Sequence, residues 1–518
     1  MKRRKFLQTS LAVSLPIALN GMGLRVIPRR ALYSLINPDS DRVLVLIQLN
    51  GGNDGLNTIV PLDYYDQLAN ARPNILLPQS SLLQVDDLHA FHPTMTGLKA
   101  VYDDAGLTVV QSVGYPNQNR SHFRSNDIWT SASAADEIVT TGWLGRWLQQ
   151  LYPGFPQDYP NADFPDPFAI AMGSTVSATC QGTIANFSMA ITDPTNLGSL
   201  LEGIDDEVPN TPYGEELLFL RQSIAQTNAY TDVVTNAANL GANTVDYPQD
   251  NSLAQQLRNV ALLISGGLRT KIYVVNLGGF DTHANQVDAS DPTQGIHAQL
   301  LQSLSDAIKL FRDDLKNQGL DQRVVGMTFS EFGRRIHAND SLGTDHGDAA
   351  PLLVFGTCIN PGFLGDNPEI PDQVEISEGV AMQYDFRNIY GSILIDWFEV
   401  SEADVKDLIF EDFQYIPVLN PCLTTDTQGS AKQPVEARAF PNPFSQRTTI
   451  EFTSVHERVR LSIFNNMGQL MEVLFDKTLP AGTHQVSWDA SNYPTGNYYF
   501  HLQLADGRVK TRPLIKAW

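Results

Sequence analysis

The stretch "RVLVLIQLNGGNDGLN" (Arg42–Asn57) decides the fold. Its first half, Arg42–Leu49, is a continuous apolar run. A strand that faced water on one side would alternate, so this one is of the kind buried on both faces in a parallel sheet. The run breaks into a glycine-rich loop with two acid or amide side chains, Asn53 and Asp54. A buried strand ending in a polar glycine loop is the beginning of an α/β domain, in which chemistry gathers at the strand ends.

Outward from that strand the pattern repeats. Further strands are predicted at "LTVVQSV" (Leu107–Val113), "KIYVVNL" (Lys271–Leu277), "RVVGMTF" (Arg323–Phe329) and "PLLVF" (Pro351–Phe355). A helix is predicted at "SHFRSNDIWTSAS". Another runs over about Thr293–Asn317, where Ile296, Leu300, Leu304, Ile308 and Leu315 recur at helical spacing. Strands alternating with helices predict an α/β fold around a mostly parallel sheet. The segment from about Leu151 to Gly267 reads as partly helical and is expected to cover one sheet edge. Beyond the polar linker "TTDTQGSAKQP" (Thr424–Pro434) the apolar period becomes two, in "TTIEFTS", "RVRLSIFN", "HQVSWDA" and "NYYFHLQL". Short alternating strands between glycine turns predict a small β-sandwich over 435–518.

At 518 residues the chain is too long for one core, and 42% hydrophobic with 18% charged residues is a globular composition. The net charge is −22, yet residues 1–30 carry seven Lys/Arg and no acid, and residues 435–518 carry nine Lys/Arg against seven acids. That leaves −31 for residues 31–434. So acidic a body repels nucleic acid and anionic membrane and attracts cations. The opening "MKRRKFLQTSLAVSLPIALNG" is a basic segment before an apolar run too short to span a bilayer. Its "RRKFL" resembles the twin-arginine export signal, so residues 1–30 are read as an export signal, with no transmembrane segment. The three cysteines, Cys180, Cys358 and Cys422, have no metal spacing and read as small buried hydrophobes, with no disulfide scaffold implied.

Polar clusters follow three strands: "NGGNDGLN", then "GGFDTHANQ" with Asp281 and His283, then "SEFGRR" leading to "GTDHGD" with Asp345 and His346. Asp281 and His283, two apart in an extended loop, can point the same way. Asp345 and His346, on a glycine-flanked turn, can converge. Two carboxylates and two imidazoles at strand ends suit a divalent ion. Loop capping is the plainer reading of each.

These elements resemble a known set. "LIQLNGGNDGLNTIVPL", "NRSHFRSNDIW", "GGFDTHANQ", "TFSEFGRR" and "GTDHG" are similar to the bacterial domain-of-unknown-function family 1501, within the alkaline phosphatase superfamily that includes sulfatases. The resemblance spans about residues 42–400 and implies an alkaline-phosphatase-like domain over 31–423. It also implies a divalent metal (zinc, manganese or calcium), a small anionic ester substrate and a nucleophile opening a helix after the second strand. Carried over by position, Asp345 and His346 match the metal-binding pair, while Asn50 stands where an aspartate is usual and Asp54 is a substitute. Ser121 matches the nucleophile, although a helix N-cap reads the same way. Arg120, His122 and Arg334 would serve the anion, and Asp281 and His283 match the second metal loop. The histidine that normally follows His346 is missing, and His122, His297 or Asp348 would have to replace it. The tail, through "FPNPFS", "IFNNMGQ", "LPAGTHQVSWDA" and "PTGNYYFHL", resembles the type IX secretion sorting domain. That implies a Bacteroidetes-type host, the type IX machinery as partner, and a secreted or cell-surface product reached through the periplasm. The expected function is an exported metal-dependent hydrolase of phosphate or sulfate esters acting through a serine. The alternative is a non-catalytic secreted protein that binds a metal or a partner.

Overall fold

The computed structural model describes residues 41–197, 211–420, 422, 437–454, 457–465, 470–479, 482–504 and 509–517. Residues 1–30, read above as an export signal, the linker 424–434 and several turns of the tail lie outside them. The chain forms two compact units divided between Leu423 and Thr424.

In the first unit, strands β1 (Val43–Asn50), β2 (Leu107–Gly114), β3 (Ala169–Met172), β4 (Ser188–Ile191), β5 (Ile272–Gly278) and β6 (Val324–Ser330) are followed by a hairpin. That hairpin pairs β7 (Arg334–Ala338) with β8 (Thr344–His346). Strands β9 (Ala350–Gly356), β10 (Gly362–Leu364) and β11 (Tyr384–Asp385) follow, and Ile59–Pro61, Leu83–Gln84 and His89–Phe91 form a small separate sheet. Nine of these form one sheet in the order β10–β2–β9–β6–β1–β5–β3–β4, with β11 beside β2. The centre is β1, parallel to β5 and β6 (Leu46 opposite Val274 and Met327). Only β9 runs against its neighbours β2 and β6.

Because successive side chains of β1 alternate, Val43, Val45, Ile47 and Leu49 enter one core while Leu44 and Leu46 enter the other. The first core is closed by α3 (Pro212–Leu240), α4 (Ser252–Ser265) and α5 (Ile296–Asn317) through Val234, Leu257, Leu301, Ile308 and Phe311. The second is closed by α1 (His122–Ser131), α2 (Trp143–Leu151) and α6 (Phe386–Phe398) through Trp129, Trp143, Trp147, Tyr390 and Trp397. Helices on both faces are why β1 reads as an unbroken apolar run. The segment 151–267, expected to cover a sheet edge, also builds that edge with β3 and β4. At four residues each, "AIAM" and "SMAI" are too short for periodicity to reveal them.

The second unit is all antiparallel. Strands β12 (Ala437–Phe440), β13 (Arg447–Ser454) and β16 (Gly482–Asp489) form one sheet, and β14 (Glu457–Asn465), β15 (Leu470–Leu479), β17 (Gly496–Leu504) and β18 (Val509–Lys516) the other. The alternating Val459, Leu461 and Ile463 of β14 join Ile450, Phe452, Trp488, Phe500 and Leu502 in a core of their own.

One expectation fails. Cys358 and Cys422 form a disulfide, and only Cys180 is a free, buried thiol. Spacing could not show it, because the bridge joins residues 64 apart whose approach is decided by the fold. Closing a loop of that length stabilises by about 4 kcal/mol on chain entropy. Thiol titration of the unfolded, unreduced chain should therefore find one reactive thiol per molecule. Cys358→Ser should lower the unfolding free energy by about 2–4 kcal/mol in urea titrations. Three titratable thiols would exclude the bridge.

A candidate metal centre at the strand ends

The carboxyl ends of β1, β2, β5 and β6 lie along one edge of the sheet. Because β9 is reversed, the residues that precede it reach that same edge. Five segments therefore meet there: the glycine loop after β1, the approach to α1, the loop after β5, the residues after β6, and the hairpin β7–β8.

Three imidazoles converge on one carboxylate oxygen. Asp281 Oδ1 lies 3.1 Å from His346 Nε2, 3.2 Å from His283 Nε2 and 3.5 Å from His122 Nε2. The Nε2 atoms of His283 and His346 are 2.9 Å apart. The ligating atoms of His122, Asp281 and His346 all fall within 4.8 Å of one another. Each imidazole uses its other nitrogen elsewhere. His122 Nδ1 is 2.8 Å from Glu331 Oε2, His283 Nδ1 is 3.0 Å from Asp345 Oδ1, and His346 Nδ1 is 2.8 Å from the carbonyl of Arg120. Carbonyls and ionised carboxylates only accept, so the network assigns the proton to Nδ1 in all three rings and leaves the Nε2 lone pairs facing Asp281. Lone pairs and a carboxylate oxygen at this range repel unless a positive centre lies among them. Around an ion with bonds of about 2 Å, tetrahedral ligand atoms sit about 3.3 Å apart, and the three separations from Asp281 Oδ1, at 3.1, 3.2 and 3.5 Å, are of that order.

The electrostatics agree. Burial opposes ionisation of Asp281, but the hydrogen bond and the charge of Arg334 work against it, and the carboxyl is held down at about 2. Burial, as the largest cause, lowers His346 below the usual imidazole value and keeps it neutral. Burial likewise works against the Asp345 carboxylate, yet its bond with His283 brings its pKa below the usual range.

The residues singled out in the sequence take different places. Asp281, His283, His346 and His122 come together. Asp345 does not join them. With His346 it lies in strand β8 rather than on a turn, and adjacent side chains of a strand point to opposite faces, so His346 reaches Asp281 while Asp345 orients His283. Asn339 and Arg335 hold Asp345 in turn, at 3.3 and 3.2 Å. Asn50 ends β1 and accepts the amide of Phe280 on its carbonyl. Ser121 is exposed at the N-cap position of α1, and its hydroxyl makes no cap bond. Arg120 is not a free cation: its guanidinium forms a two-bond pair with Asp348 at 2.9 and 2.6 Å and also bonds the carbonyl of Ser377. Arg334, with a fully buried side chain, donates to the carbonyls of Gly51, Gly52, Phe280 and Thr344 and to Asp281 Oδ1. It is a clamp on the site rather than a group open to solvent. Asp54 lies below the cluster, 1% exposed, with both oxygens on Arg72 at 2.9–3.0 Å. His297 is buried at the start of α5 and bonds Asn53.

Glu331 is the partner that sequence reasoning underrates. It lies in the "SEFGRR" stretch and bonds His122 and the amide of Gly51, the latter at 3.0 Å. The third imidazole, absent after His346, arrives from upstream as His122.

Comparison with known proteins gives two family matches: residues 222–396 match "Protein of unknown function (DUF1501)", and residues 438–516 match "Secretion system C-terminal sorting domain". No curated protein matches the chain. Among solved structures it is similar to a protein of glycosaminoglycan metabolism in Bacteroides thetaiotaomicron (9% identity, 87% of this chain and 90% of that one, TM-score 0.34). It is also similar to the phosphonate monoester hydrolase of Silicibacter pomeroyi (11%, 92% and 89%, TM-score 0.31). Dimeric latent PorU of Porphyromonas gingivalis matches at 18% identity over 17% of this chain and only 10% of that one, with a TM-score of 0.15. The sorting-domain match indicates a secreted or cell-surface protein. No helix among the described residues is long and apolar enough to cross a membrane.

The Asp54–Arg72 pair has a stated pH dependence. Burial raises the Asp54 pKa, but Arg72 and Gln286 more than reverse this, so it lies below the usual value. A lowered carboxyl contributes stability in full above its unfolded pKa of about 3.9, and that contribution is lost as pH falls through the folded pKa. Arg72→Met should cost about 3–5 kcal/mol at pH 7, because it strands a buried charge. The deficit should shrink in acid as Asp54 protonates. Urea titrations at pH 7 and pH 3 measure both.

Proposed function

We propose that this protein is an exported, metal-dependent hydrolase of phosphate or sulfate esters, acting through Ser121. The observation that carries the reading is the orientation of His122, His283 and His346, each tethered by Nδ1 so that Nε2 meets Asp281 Oδ1. Carboxylates behind metal-binding imidazoles are the usual means of fixing ring and tautomer, and Glu331 and Asp345 stand in that relation to His122 and His283. His122, Asp281, His283 and His346 would hold the ion. When bound, a divalent ion supplies the charge that polarises an ester oxygen and favours ionisation of a nearby hydroxyl.

The chain's own residues account for the rest. Ser121 precedes the ligand His122 and keeps its hydroxyl out of the cap, exposed at the N-terminal end of α1. The helix amides there favour developing negative charge. Arg334 and Glu331 hold the glycine loop, Asp281 and His122 in place, so the site changes little as charge moves.

One observation favours the second reading, a secreted protein that binds a metal or a partner without turnover. The guanidiniums of Arg120 and Arg334 are already committed, to Asp348 and to Asp281, and so are not free to neutralise a substrate anion.

The two readings separate in a single series on the purified protein. Metal analysis should find a divalent ion that is lost in His283→Ala. Aryl phosphates, phosphodiesters and aryl sulfates should reveal turnover, and Ser121→Ala should abolish it with metal content and Tm nearly unchanged. Stoichiometric metal without turnover on any ester establishes the binding reading instead, and absence of metal excludes the hydrolase and leaves only partner binding.

Export rests on the tail, through the type IX machinery and the periplasm. Deleting 435–518 removes a unit with its own core and none of the site residues. The truncated protein should remain folded and be retained in the periplasm. Its appearance outside the cell would contradict that assignment.

A further inference from the structure

Beneath the imidazoles lies a residue that no part of the chemistry above uses. Gln286 is fully buried, at 0% exposure. Its Oε1 accepts the hydroxyl of Thr282 at 2.9 Å and the hydroxyl of Thr344 at 2.7 Å, and its Nε2 donates to Asp54 Oδ2 at 2.6 Å. The amide orientation is not arbitrary. A carboxylate can only accept, so the NH2 must face Asp54 and the oxygen must face the two threonines. Thr282 separates Asp281 from His283, and Thr344 precedes Asp345 and His346. Gln286 thus ties the two segments that carry three of the four converging ligands to each other and to the ion pair Asp54–Arg72.

The backbone repeats the same tie. Thr344 N donates to Thr282 O at 3.2 Å and Gln286 N to Leu342 O at 2.9 Å. Gly343 lies so near the other segment that a Cβ there would sit 2.5 Å from the carbonyl carbon of His283. Gln286 and Thr344 are 58 residues apart in the chain, and their bond stands beside the one from His283 Nδ1 to Asp345 Oδ1 that joins the same two segments.

We infer that Gln286 is a positioning residue for the candidate metal centre, setting the separation between the Asp281–His283 loop and the strand that bears His346. The inference rests on the metal reading above. It does not make Gln286 a ligand, since its oxygen and nitrogen are both spent on Thr282, Thr344 and Asp54. A buried amide that fixes ligand spacing should affect ion affinity and coordination geometry beyond its effect on stability.

The test is Co2+ titration of the metal-free full chain, read by visible absorption, alongside thermal unfolding. Gln286→Met keeps the volume and removes all three bonds, and Thr344→Val removes one. Asn251→Ala, which deletes the α4 N-cap and its bond to Ser303 far along the chain, is the control for stability loss alone. Gln286→Met should weaken Co2+ binding by about tenfold or more and shift its absorption bands. Thr344→Val should do so to a smaller extent. Asn251→Ala should lower Tm while leaving affinity and spectrum as in the wild type. If Gln286→Met fails to fold, Thr344→Val carries the test on the same terms. A variant that binds within twofold of wild type with an unchanged spectrum overturns the inference alone. Wild-type protein that binds no divalent ion overturns the metal reading, and the inference falls with it.

Discussion

A single buried guanidinium organises this protein. Arg334 has no exposed side-chain surface, and a charge so placed is tolerated only when it is spent on hydrogen bonds and a counter-charge. It is spent on the carbonyls of Gly51, Gly52, Phe280 and Thr344 and on the carboxylate of Asp281. Those five partners come from the loop after β1, the loop after β5 and the hairpin. Separate strand ends therefore become one surface, and Arg334 bonds the same Asp281 oxygen that faces three imidazoles. Satisfying the cation and assembling the site are the same act.

The reversed strand β9 is the second constraint. In a wholly parallel sheet, residues preceding a strand lie at the opposite edge from residues following one. Because β9 runs against β2 and β6, the hairpin ahead of it is delivered to the edge where β1, β5 and β6 end. His346 and Asp281, 65 residues apart, thereby come within 3.1 Å. The ion pair Asp54–Arg72 and the amide of Gln286 form a floor under that edge, and these three side chains are buried and hydrogen-bonded to one another. A buried polar network of this kind is costly when incomplete and rigid when complete, which fixes the spacing of the side chains it supports.

Much of this was legible in the chain. The unbroken apolar run Val43–Ile47 determined a sheet covered on both faces, and the spacing Ile296, Leu300, Leu304, Ile308 determined α5. Alternation such as Val459, Leu461, Ile463 determined the all-β tail. Each is a local periodicity read against a fixed backbone repeat, so it survives in sequence. The polar clusters after the strands also marked the edge where Asp281, His283 and His346 stand.

What only the tertiary structure decided concerns partners. That His122 completes the cluster, that Asp345 orients a ring instead of joining it, and that Arg120 is consumed by Asp348 depend on segments tens to hundreds of residues apart. So does the pairing of Cys358 with Cys422. An amino-acid sequence records which groups can bond, and its repeats record how the backbone runs locally. Which donor meets which acceptor is settled by distances of a few tenths of an ångström, and only the packed chain sets those.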